Sequence, residues 1–120
     1  MAEETSVTTG LFSIEQIANT NNFYLVKLYT NDAVNSCKFM YALVDIKEKQ
    51  PKRLIFDLTA VTQKKDWVIC GEAASGMTGI DTRYFGINPG EFSDESFDGK
   101  PSYRASVAPK IFSNLEAALK

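Results

Sequence analysis

Histidine is absent from this chain, which removes the commonest general acid–base group and the commonest zinc ligand together. No Ser–His–Asp arrangement is possible, so reactive chemistry would fall to Asp, Glu, Lys, Tyr or Cys. The two cysteines, Cys37 and Cys70, stand too far apart for a CxxC redox pair or a metal-ligand spacing. A nucleophilic Cys37 would need an activating neighbour, and Lys38, next to it in the chain, points away on a helix or a strand. Both cysteines are therefore expected to be reduced and packed as small apolar residues. The run Asp94-Glu95-Ser96-Phe97-Asp98-Gly99 has oxygen ligands at the first, third and fifth places and glycine at the sixth, as in the first half of a calcium loop. Its second half fails, with Pro101 inside the loop and Ala105 where a bidentate glutamate belongs. An acidic turn with a required glycine accounts for it. Gly76, Gly79 and Gly86 form neither a dinucleotide fingerprint nor a P-loop. No catalytic residue, metal or cofactor is assigned.

Features suited to binding are better developed. Residues 47–65 carry Lys47, Lys49, Lys52, Arg53, Lys64 and Lys65 against Glu48 and Asp57. Residues 66–98 carry Asp66, Glu72, Asp81, Glu91, Asp94, Glu95 and Asp98 against Arg83 alone. Such a dipole suits docking onto an opposite patch, with Lys47, Lys49, Lys52, Arg53, Lys64, Lys65, Glu91, Asp94, Glu95 and Asp98 as the charged interface. Clustering of charge in solvated turns explains the same pattern. From Ala73 to Ser106 five of the seven glycines gather, at 76, 79, 86, 90 and 99, with aromatics among them. Large apolar groups are out of place in a purely solvated loop. Tyr84, Phe85, Phe92, Phe97 and Tyr103 either anchor the segment to the core or, with Arg83 and Arg104, present a partner-binding surface.

The elements that would position these groups follow from pattern. Asn19 to Asn22 is a turn cluster, since asparagine tolerates left-handed backbone angles. Phe23 to Tyr29 is the clearest strand, rich in aromatic and branched residues. Residues 11–17 fit a strand, or a short helix begun by a Ser13/Gln16 capping box. Residues 36–48 fit both periods. As a strand, Cys37, Phe39, Tyr41 and Leu43 share a face. As a helix capped by Asn31 or Asp32, Ala33, Cys37, Met40 and Val44 form one stripe and Phe39, Leu43 and Ile46 another. Leu54 to Val61 and Trp67 to Cys70 read as strands, with further short ones near Thr82–Phe85 and Tyr103–Val107. From Pro109 onward, Ile111, Phe112, Leu115, Ala118 and Leu119 form an apolar stripe of a terminal helix.

The chain has 120 residues, 44% hydrophobic and 23% charged, with a net charge of −2. That is one globular domain with a core of its own, read as residues 11–120 behind a flexible arm at 1–10. No apolar run approaches the ~20 residues of a membrane helix, and the polar, acidic start is unlike a signal peptide. The expected location is intracellular and cytoplasmic.

Tyr24-Leu25-Val26-Lys27-Leu28-Tyr29 with Asn35-Ser36-Cys37 resembles the opening strand and helix of thioredoxin-like proteins over this stretch alone. It lacks their paired cysteines and implies no function. The expected fold is α+β: a β-rich, mostly antiparallel sheet or small barrel with a C-terminal amphipathic helix. The alternative is an α/β, thioredoxin-like arrangement. The expected function is a non-enzymatic protein–protein interaction or assembly module, working with itself or another subunit as part of a larger particle. Two alternatives stand beside it. One is a small-ligand or single-stranded nucleic-acid binding barrel using Tyr24, Tyr29, Phe39, Tyr41 and Trp67 as stacking platforms, against which the acidic pI of about 5.1 argues. The other is an enzyme using a carboxylate or Cys37.

Overall fold

In the computed structural model the described residues are 7–8, 10–35, 37–62, 79–87 and 111–120. They form one six-stranded mixed sheet and two short helices, broadly an α+β architecture. The strands are β1 (Val7–Thr8), β2 (Phe12–Gln16), β3 (Phe23–Leu28), β4 (Arg53–Asp57), β5 (Asp81–Phe85) and β6 (Ile111–Phe112). They lie side by side in chain order. β1, β2 and β3 are antiparallel neighbours, whereas β3, β4, β5 and β6 run parallel.

The antiparallel expectation therefore holds only for the amino-terminal half. What overturns it beyond β3 is a helix, α1 (Cys37–Glu48), lying between β3 and β4. Parallel neighbours need a crossover rather than a hairpin, and α1 is that crossover. The two periodicities of residues 36–48 are resolved in favour of the helix. Asn31 does not cap it: residues Asn31–Asn35 form a separate 3-10 turn, and the Asn31 side chain bonds Thr62 in both directions, at 3.2 and 2.8 Å. At its other end α1 stops at Gln50, which takes a left-handed φ of 50° ahead of Pro51. The asparagine turn secures that end. Asn19 and Asn22 adopt φ of 61° and 63°, Asn22 Nδ2 donates to the Gln50 carbonyl at 3.2 Å, and Lys52 N–H donates to the Asn22 carbonyl at 3.0 Å.

Strand alternation sorts the sheet into two faces. Phe12, Ile14, Tyr24, Val26, Leu28, Leu54, Phe56 and Tyr84 share one face and form a continuous core with Phe39, Leu43 and Ile46 of α1. Phe39 meets Phe12 edge-on with centroids 5.5 Å apart, and Phe56 stacks on Tyr84 at 5.4 Å. Residues 11–17 are thus strand, not helix.

The opposite face carries Arg53, Ile55, Asp81 and Arg83, and α2 (Leu115–Leu119) covers it. The predicted terminal helix is shorter than its apolar stripe suggested. Ile111 and Phe112 pair with Tyr84 and Phe85 as β6, and the helix begins only after Asn114, whose Oδ1 accepts the Ala117 N–H at 2.8 Å. At the amino end, Val7–Thr8 is an edge strand on β2, so part of the expected 1–10 arm belongs to the sheet. After β5, Gly86 turns with φ 94°, and a Cβ there would lie 2.5 Å from the Thr59 backbone nitrogen, so the turn demands glycine.

Candidate interaction surface

Residues at 3.6 per turn place 37, 40, 41 and 44 along one side of α1 and 39, 42, 43 and 46 along the other. The second set, Phe39, Ala42, Leu43 and Ile46, is the buried side. The first set is apolar too, but it faces solvent. Met40 is 48% exposed, Tyr41 71% and Val44 55%, and Cys37 is exposed at the head of the row. Buried anchors on the inner side hold the helix in place, so the outer row is displayed on a rigid element. Lys38 and Asp45, both exposed, border the row on one flank, and Lys47 follows Met40 on the other. The row is a contiguous strip of exposed apolar groups, the kind of surface that interaction sites use. Methionine and tyrosine suit such a surface, one by adaptable packing and the other by a large amphipathic ring.

Cys37 corrects the expectation that it packs as a small core residue: it is the first residue of α1, on the outward side. The stacking-platform reading loses two of its members, since Tyr24 and Phe39 are 3% and 0% exposed. Tyr29 and Tyr41 are exposed, and Trp67 lies outside the described residues.

Among the expected partner-binding residues, Tyr84 is core, 1% exposed beneath Phe56, and has no surface to offer. Phe85 is half-buried on β5. Arg83 is engaged within the fold. Phe92, Phe97, Tyr103 and Arg104 lie outside the described residues, as do Lys64, Lys65, Glu91, Asp94, Glu95 and Asp98 of the charged interface and the Cys70 thiol. Lys47, Lys49 and Lys52 are exposed.

Arg53 is not a surface charge. Its Nε meets Asp81 Oδ2 at 3.0 Å, its Nη1 donates to the Ala118 and Leu119 carbonyls at 3.3 and 2.6 Å, and its guanidinium lies 4.3 Å from the Phe23 ring centroid. Arg83 repeats the arrangement one strand over. Its Nη2 lies 3.1 Å from Asp81 Oδ2, its Nη1 donates to the Ala118 carbonyl at 3.2 Å, and its guanidinium sits 5.0 Å from the Phe112 ring. Two cations thus meet the carbonyl end of α2, where the helix dipole is negative. Burial raises the Asp81 pKa, but hydrogen bonds and charge from Arg83 and then Arg53 outweigh it, so the carboxyl titrates below its ordinary 3.8. The cluster satisfies itself and clamps α2; it presents no vacant charge to a ligand.

A cavity of about 430 Å³ opens at the amino ends of β4 and β5, lined among the described residues by Lys47, Gln50, Pro51, Lys52, Gly79 and Ile80. That lining holds no carboxylate, thiol or hydroxyl. Among the described residues no group of three or more Cys, Asp or Glu could hold a metal ion, and no helix is long and apolar enough to cross a membrane.

No family model matches the chain, and comparison with curated proteins and with solved structures finds no match either.

Proposed function

We propose that this chain is a non-enzymatic protein–protein interaction or assembly module that docks through the outer row of α1. One observation carries the reading: Cys37, Met40, Tyr41 and Val44 form an apolar row that faces solvent on a helix already anchored by a complete inner row. A helix that only closed the core would be polar on this side. The absence of histidine, and the internal use of the Arg53–Asp81–Arg83 charges, point the same way, because neither leaves an obvious acid–base pair.

A photo-crosslinking amino acid at Val44 tests this in cells, with the same probe at exposed Glu15 of β2 as control. Discrete protein adducts are expected from position 44 and not from 15. Adding Tyr41→Glu to the position-44 probe should abolish the adducts while changing stability by no more than about 0.5 kcal/mol. Equal labelling at both positions, or adducts indifferent to Tyr41→Glu, would discard the surface.

A further inference from the structure

We propose that the cavity at the amino ends of β4 and β5 is a binding site for a small phosphate monoester, held by Lys47 and Lys52. The inference goes beyond the docking role of α1 and does not depend on it.

The cavity has a volume of about 430 Å³, within the roughly 300–1,000 Å³ that small-molecule sites occupy. Its described lining is chemically one-sided. Lys47 and Lys52 are its charged groups, Gln50 adds an amide, and Pro51, Gly79 and Ile80 are apolar. Among the described residues neither ammonium group has a hydrogen bond or an ion pair. Asp81, next to Ile80 in the chain, directs its carboxylate to Arg53 and Arg83 instead. Glu48 follows Lys47, but consecutive residues of a helix point roughly 100° apart.

The charge balance selects the ligand. A phosphate monoester carries about −1.5 to −2 at neutral pH, which two lysines neutralise, whereas a carboxylate needs only one. Lysine serves phosphate as a point charge. The carbonyl end of α1 lies beside the cavity and contributes about half a negative charge, which two full cations exceed. The cavity is larger than a bare phosphate fills, and Pro51 and Ile80 supply apolar contact for an organic body.

The backbone of the site is set before a ligand arrives. Lys52 N–H donates to the Asn22 carbonyl at 3.0 Å and Asp81 N–H to the Lys52 carbonyl at 3.3 Å. Asn22 Nδ2 donates to the Gln50 carbonyl at 3.2 Å. These bonds tie the end of α1 to the asparagine turn and to β5, so binding has only the two lysine side chains to order. Both lysines are exposed, so solvent and salt screen them and affinity is modest, in the submillimolar range.

Amide NMR shifts of the full chain, titrated at constant ionic strength with phenyl phosphate, provide the test. Saturable shifts are expected at Lys52, Gly79 and Ile80. Lys47→Gln with Lys52→Gln should weaken binding by about tenfold, whereas Lys49→Gln, at an exposed lysine outside the lining, should change it less than about twofold. Benzoate has a similar body but one charge, and inorganic phosphate lacks the body. Each should bind about fivefold more weakly than phenyl phosphate. Urea midpoints of the lysine variants should match the parent chain, since all three side chains are exposed.

The absence of saturable shifts at Lys52, Gly79 and Ile80, an equal loss from Lys49→Gln, or binding of benzoate or inorganic phosphate as tight as that of phenyl phosphate would each overturn the proposal. Tyr41→Glu should leave phenyl phosphate binding unchanged. Failure of this site is therefore read by NMR, and failure of the docking surface by crosslinking.

Discussion

On one face of the sheet α1 closes a core built mainly of apolar and aromatic side chains, with Phe39 seated edge-on against Phe12. On the other, the five-residue α2 buries Ala118 completely, and two arginines reach its last carbonyls past a shared carboxylate. A 12-residue amphipathic helix such as α1 gains more from burial and can pack without polar help. A short one does not, because so few residues cannot hold helical structure by themselves. The polar cluster compensates, joining β4, β5 and the chain terminus through directional bonds.

The contrast can be broken most forcefully at Phe39. Phe39→Ala leaves a cavity beneath α1 and should cost about 3–5 kcal/mol, read as a lower urea midpoint. Should the loss fall below that from the arginine side, the apolar face would not be the dominant one. Arg53→Met keeps the aliphatic stem but removes two carbonyl bonds, an ion pair and the contact with Phe23. We expect a loss of about 1–3 kcal/mol. Amide exchange should quicken across residues 115–119 while β3 and β4 stay protected. Equal quickening in α1 would show that the two faces unfold as one. Asn114→Ala removes only the cap and should cost about 1 kcal/mol, again confined to α2.

The smallest effect belongs to pH. Asp81 has a lowered pKa in the folded chain, so its stabilising contribution is present above its unfolded value and is lost as pH falls through the folded one, below about 3.8. Asp81→Asn should flatten the acid limb of the stability profile there. The change should stay under about 1 kcal/mol, because the side chain is 38% exposed and solvent screens it. An acid limb unchanged by the substitution would remove Asp81 from the clamp's electrostatics.

Much of the strand content was legible in the residues alone. Phe23 to Tyr29 announced β3 by its aromatic and branched side chains, and the asparagine cluster before it announced left-handed turns. Thr82 to Phe85 was recognisable as the greater part of β5. Residues 36–48 were not decidable, because alternate positions and every third or fourth position are both apolar there. The cause is now visible: both sides of α1 are apolar, one for the core and one for the surface, and a helix of that kind also satisfies the period of a strand. The outer row itself was readable as a stripe of Cys37, Met40 and Val44. Nothing local said which stripe would be buried, and Tyr41 was grouped with a strand face instead. Ile111 and Phe112 misled in the opposite way, since two residues of parallel pairing have no periodicity of their own and merge with the helix that follows.

What the sequence determined by itself was therefore chemical and local: no imidazole, a turn at the asparagine cluster, and apolar segments of the right length. What only the tertiary structure decided was relational. Strand direction beyond β3 depends on a crossover, and the fate of Arg53, Asp81 and Arg83 depends on residues far away at the chain terminus. Which row of α1 remains outside depends on which row best fits Phe12, Val26 and Phe56. Those choices rest on contacts between distant residues, and short-range pattern carries no record of them.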